Sequence, residues 1–108
     1  MDLAATAFLL SKQLPKSEQY GLALQLTRAA TSVPANIAEG HGSRHRSVYL
    51  NHLSIARGSL MEFETHLLLA ERTGMLSSRQ TREALDQSQV VGMLLNGLIR
   101  SLGRPASG

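Results

Sequence analysis

The amino-acid sequence predicts an all-α protein, an antiparallel up-down-up-down four-helix bundle. Three observations carry this expectation. Apolar residues recur at alternating spacings of three and four, proline or glycine sits at each break between such runs, and no stretch shows the strict alternation of a strand.

Leu3, Ala7, Leu10 and Leu14 share one helical face, and Pro15 ends that run. Ser17 is an N-cap candidate for a second helix, with Glu18 in the first turn where the helix dipole favours an acid. Leu22, Leu26, Ala29, Val33 and Ile37 form its apolar stripe, while Gln25, Arg28, Ser32, Asn36 and Glu39 form a polar stripe of the same period. Two faces imply two environments. Pro34 falls inside the pattern and predicts a bend, because its ring crowds the preceding turn and one backbone hydrogen bond is lost. Gly40 and Gly42 read as the stop, through the left-handed cap conformation that glycine adopts freely.

The third helix is the most regular. Tyr49, Leu53, Ala56, Leu60, Phe63, Leu67 and Ala70 alternate in steps of four and three, a heptad seam. Gly74 closes it, and Ser77 or Ser78 opens a fourth helix with Leu85, Val91, Leu94, Leu95, Leu98, Ile99 and Leu102, before Gly103 and Pro105. Residues 1–102 thus form one domain, and 103–108 a flexible tail. Short links around Pro15, Gly40–Arg46 and Gly74–Ser77 force antiparallel neighbours.

Composition limits the chemistry. Hydrophobic residues make up 43% of the chain, but only Phe8, Tyr20, Tyr49 and Phe63 are aromatic, so aliphatic side chains must fill the core. Absence of cysteine excludes disulfides, thiolate metal sites and thiol nucleophiles. The apolar stretch Ala4–Leu10 follows Asp2 where a signal peptide would carry positive charge, and it reads as helix. No apolar run approaches the roughly 18 residues of a membrane span, so a cytoplasmic location is expected. A net charge of +3 is by itself weak evidence for nucleic acid.

The apolar pattern overshoots one core. Ile55, Leu68 and Leu69 lie off the third-helix seam, and Val90, Met93 and Leu94 surround the Leu95–Leu98 face. A homo-oligomer is therefore expected, its close packing helped by Gly58, Ser59, Gly92 and Gly97.

Two segments, RAATSVPANIAEG over 28–40 and LSIARGSLMEFET over 53–65, with Leu14-Pro15 and Tyr20-Gly21-Leu22 ahead of them, resemble the four-helix-bundle proteins named after ribosomal-RNA intervening sequences. The likeness covers most of residues 1–102. It implies assembly into a homopentamer. It also implies kinship with the accessory protein of diversity-generating retroelements, a basic pentamer that binds nucleic acid and its reverse transcriptase. RNA, DNA or a reverse transcriptase-like protein are the partners this suggests; most members have no established activity. One departure stands out: His45-Arg46-Ser47-Val48 replaces the usual serine cap and acidic first turn, which leaves Ser43 or Ser47 to cap the third helix.

The loop His41-Gly42-Ser43-Arg44-His45-Arg46 is the densest positive feature, and Arg44, His45 and Arg46 are the candidate nucleic-acid contacts. Five copies in a ring would carry about +15 and bind a polyanion avidly. The plainer alternative is a solvated loop whose cations meet the second helix's C-terminus. Arg28, Asn36, Glu39, Glu62 and Glu64 are candidates for a polar network between helices or subunits. Glu39 and Glu62 could instead be an acid/base pair, yet no substrate pocket is evident, and no enzyme activity or cofactor is expected. His41 with His45 and Glu62 with His66 have metal-like spacing, but the paired Glu-x-x-His motifs of di-iron bundles are missing. No phosphate-binding glycine loop, nucleophile elbow or helix-turn-helix is present.

Overall fold

The computed structural model describes residues 2–103. Four α-helices follow in order: α1 Asp2–Ser11, α2 Leu22–His41, α3 Arg46–Arg72 and α4 Ser78–Gly103, with a short 3-10 turn Lys16–Glu18 between the first two. Each packs on its sequence neighbours, and α1 closes the ring against α4.

Side-chain bonds give the direction of each pair. Ser32 meets Ser59 while Asn36 meets His52, so α2 and α3 run antiparallel. Arg46 reaches the Leu102 carbonyl, Arg57 meets Asn96 and Glu64 meets Ser88, so α3 and α4 do too. Thr6 on Gln87 and Gln13 on Gln80 set α1 against the first half of α4. The helices therefore alternate up, down, up, down.

The apolar stripes form the core as the sequence predicts. Leu3, Ala7 and Leu10 of α1, Leu22, Leu26, Ala29 and Val33 of α2, and all of the α3 seam from Leu53 to Ala70 are buried, with Tyr49 and Ile37 half-buried at the edge. Phe63 is the largest fully buried side chain. On α4 the pattern is less apolar than expected: Thr81 and Ser88 are buried beside Ala84 and Leu95, whereas Leu94 and Leu98 are exposed. Both buried hydroxyls are satisfied, Thr81 donating to the Ser77 carbonyl at 3.0 Å and Ser88 to Glu64 Oε2 at 2.5 Å.

Several helix ends differ from the sequence expectation. Helix α1 stops at Ser11, four residues before Pro15, and Gln19 Nε2 donates to the carbonyls of Ser11 and Leu14 at 3.1 Å. Ser17 lies in the 3-10 turn and does not cap α2, whose N-cap is Gly21 with no side-chain bond. Neither Ser43 nor Ser47 caps α3; its N-cap is His45, again uncapped, and Ser43 Oγ instead accepts the His45 N–H at 3.1 Å. At α4, Ser77 and Gln80 form a reciprocal capping box, Ser77 Oγ accepting the Gln80 N–H and Gln80 Oε1 the Ser77 N–H. The helix continues through Gly103, so the expected tail lies, from 104 onward, outside the described residues.

Helix α2 passes through Pro34 without interruption and ends at His41. Its glycines do not serve as left-handed caps: Gly42 has φ −76°, and among the described residues only Gly74 has positive φ, at 78°. Gly40 is needed for a different reason. A Cβ there would stand 2.8 Å from both His52 Cβ and Tyr49 Cδ1 and 3.3 Å from the Tyr49 carbonyl oxygen, so the missing side chain is what lets α2 approach α3.

Helix α1 has 10 residues against 26 in α4, or about 15 Å beside about 39 Å at 1.5 Å per residue. A groove of about 320 Å³ between α2 and α4 is lined by Ile37, Val91, Leu94, Leu95 and Leu98. Val90 and Leu94 are 59% and 65% exposed, and Met93, on the face of α4 that carries Asn96 and Arg100, is 74% exposed.

Replacing Gly40 by Ala should destabilise the fold by about 1–3 kcal/mol, because backbone and Cβ atoms must move apart. Gly58, with open space around it, should gain up to about 1 kcal/mol from the same change. Chemical denaturation of both variants checks the pair; equal effects would refute the close-approach role of Gly40.

Candidate nucleic-acid interface

The α2–α3 loop places Arg44 and His45 on the surface, and among the described residues Arg44 has no polar partner. Arg46 is exposed but engaged, its Nε donating to the carbonyl of Leu102 and so tying the start of α3 to the end of α4. Of the three predicted contacts, Arg44 and His45 are free to meet a ligand, while Arg46 also holds the two helix ends together. His41 packs edge-on against Tyr49, with ring centroids 5.8 Å apart. The uncapped first turn of α3, with no acidic residue in it, leaves backbone N–H groups beside these cations, and such a terminus favours anions.

Tertiary structure concentrates this charge further. Arg57 Nη1 donates to Asn96 Oδ1 at 3.2 Å, and Arg100 follows Asn96 by one turn on the same exposed side of α4. The loop half of the bundle thus carries Arg44, Arg46, Arg57 and Arg100 against the single carboxylate of Glu39, whereas the rest of the described chain has six Lys/Arg against seven Asp/Glu. Nothing in the local sequence singles out Arg57 and Arg100. The signal that finds them is the antiparallel register of α3 and α4, which brings two distant charges to one end.

The predicted polar network exists in part. Ser59 Oγ and Ser32 Oγ lie 2.8 Å apart, and Asn36 Nδ2 donates to Ser32 Oγ at 3.0 Å and to the Ser32 carbonyl at 2.9 Å. Asn36 Oδ1 lies 3.0 Å from His52 Nδ1, which is also 3.7 Å from Glu39 Oε2. An amide oxygen only accepts, so Nδ1 carries the proton and, in the neutral ring, Nε2 keeps its lone pair. Asn36 and Glu39 therefore belong to one ladder along the α2–α3 contact, joined by Ser32, Ser59 and His52.

Glu64 lies on the other side of α3, where it accepts from Ser88. Arg28 and Glu62 are exposed, with no polar partner among the described residues. The acid/base reading of Glu39 and Glu62 does not survive this geometry: Glu39 sits beside His52, ten residues of α3 from Glu62, or about 15 Å. Among the described residues no three His, Asp or Glu side chains are placed to hold a metal. His66 Nδ1 is buried with no partner.

A family model described as 23S rRNA-intervening sequence protein matches residues 1–97. The chain belongs to that family. Among solved structures it is similar to a protein of unknown function from the S23 ribosomal protein family of Bacteroides thetaiotaomicron VPI-5482, with 28% sequence identity, a TM-score of 0.85, and coverage of 91% of this chain and 92% of that one. No curated protein matches. As a member of the intervening-sequence family, the chain has its two resembling segments, 28–40 and 53–65, lying face to face along α2 and α3. The polar ladder is built from both. No helix among the described residues is long and apolar enough to cross a membrane.

Removing Asn36 should cost about 1–2 kcal/mol, because its truncation leaves the Ser32 and His52 partners unpaired. In a double-mutant cycle, Asn36→Ala and His52→Ala should show a coupling energy of at least about 0.5 kcal/mol. Strict additivity in urea unfolding would show that the ladder is not a unit.

Proposed function

We propose that this family member is a self-associating helical scaffold that holds nucleic acid by its sugar–phosphate backbone, working in the cytoplasm and without a catalytic step of its own. Segregation of charge carries the reading: four arginines face one carboxylate at the loop end of each bundle. Arginine forks suit phosphate oxygens. Arg44 and His45, beside the uncapped start of α3, offer the first contacts. The names of the family and of its solved relative both refer to ribosomal components and agree with a nucleic-acid partner.

Self-association is supported by the apolar surface that a single chain leaves in water. Val90, Leu94 and Leu98 line and flank the groove between α2 and α4, and Ile55, Met61, Leu68 and Leu69 lie exposed along α3. Faces on two different helices suit a ring in which each copy contacts two neighbours. The pentamer implied by the resemblance is such a ring, and it would repeat the arginine-rich end around one axis, turning weak single contacts into an avid site. A reverse transcriptase-like protein is the second partner the resemblance offers, and acidic surface on it would meet the same arginines.

Sedimentation equilibrium should give a multiple of the 11.7 kDa chain mass, five for the pentamer. Leu94→Glu plus Leu98→Glu should yield single chains with unchanged helix content. A monomeric wild type at high concentration would refute the scaffold. Gel retardation at low salt should show RNA or DNA bound, with affinity falling steeply as salt rises. Lack of retention at low salt would refute the nucleic-acid reading.

A further inference from the structure

We infer that the nucleic-acid contact is a strip along the α3–α4 side of the bundle, made by Arg44, Arg57 and Arg100, and that its ligand is a duplex held by one strand's backbone. This rests on the nucleic-acid reading above and specifies its ligand. Helix α3 from Arg46 to Met61 and helix α4 from Gln87 to Gly103 contain no carboxylate at all. On that acid-free stretch the two helices are cross-linked by Arg57 on Asn96 and by Arg46 on the Leu102 carbonyl, which fixes the side on which the arginines gather. Arg100 follows Asn96 by one turn, and the Asn96 amide nitrogen remains a neutral donor between the two guanidinium groups. All three strip arginines are exposed.

The strip is long enough for several phosphates. From Arg46 to Arg57 helix α3 advances eleven residues, about 16 Å at 1.5 Å per residue. A row of that length can meet consecutive phosphates of one strand where a duplex backbone crosses it. A single strand would need something else to hold its unpaired bases, and sequence-tolerant single-strand sites supply aromatic platforms for them. None lies here. Phe63 is buried, Tyr49 packs on Gly40 and His41, and Phe8 and Tyr20 belong to α1 and to the segment before α2. An acid-free row of guanidinium groups with no Phe, Tyr or Trp beside it fits a backbone whose bases are already paired.

The test compares the intact protein with two double variants, all checked for helix content, on a blunt RNA duplex of about 20 bp and on a single strand of equal length. Arg57→Gln plus Arg100→Gln should weaken duplex binding at least about tenfold at low salt and reduce the slope of log affinity against log salt by about two. Arg72→Gln plus Arg82→Gln, which removes equal charge from the other end, should leave both within about twofold, well inside the salt effect of one phosphate contact. The duplex should bind more tightly than the single strand. Equal losses from the two variants, or tighter binding of the single strand, would overturn the strip while leaving the loop reading intact, which Arg44→Gln then reports alone. Absence of any binding by the wild type at low salt would overturn both.

Discussion

The close approach of α2 to α3 at Gly40 is the constraint on which the rest of this bundle depends. Any side chain there would collide with Tyr49 and His52 within 3 Å, and the two helices would separate at the end that carries the loop. Contact at that point sets the register in which Ser32 meets Ser59 and Asn36 meets His52. A hydrogen-bonded ladder tolerates little sliding, because each partner left unpaired loses its desolvation compensation. Apolar seams alone specify register less sharply, since leucines one turn apart present similar surfaces. Packing supplies the attraction between α2 and α3, and the polar ladder selects one alignment of it.

A second consequence follows from the α3–α4 hairpin. The half of the bundle that carries the α2–α3 loop is where Leu94 and Leu98 are exposed, and it is also where the arginines collect. The Leu94–Leu98 face and the Asn96–Arg100 face thus occupy the same half of the molecule on different sides of α4. Such an arrangement suits a subunit that meets its own kind through one side and a polyanion through another.

Charge segregation has a physical meaning that net charge lacks. A domain at +3 with its charges dispersed would present only a weak field. Among the described residues the whole surplus resides at one end, with no carboxylate on the facing stretches of α3 and α4 to neutralise it. Arg46 has two tasks in this scheme, anchoring the α4 terminus through the Leu102 carbonyl and adding to the local potential. A lysine would keep the charge there but lose the planar, multiply donating group.

The family, the number of helices and nearly every buried residue of α1 to α3 were legible in the sequence, because the period of an apolar stripe depends only on local helix geometry. The capping signals were less reliable. Ser17, Ser43 and Ser47 all have the right chemistry for an N-cap and none serves as one, since the chain's path before each helix is set by contacts distant in sequence. Gly40 reads in the sequence as a conformationally free stop, whereas in the fold its use is its lack of a side chain. The polar stripe of α2 points to Asn36 and Glu39 as network members, but the partners across the contact, His52 for these two and Ser59 for Ser32, follow from the antiparallel register of α2 and α3. The same holds for Arg57 and Arg100, some forty residues apart and brought to one end only by the α3–α4 hairpin. Periodicity records which face of a helix is buried; it carries no information on which residue of another helix lies opposite, and that pairing belongs to the tertiary structure.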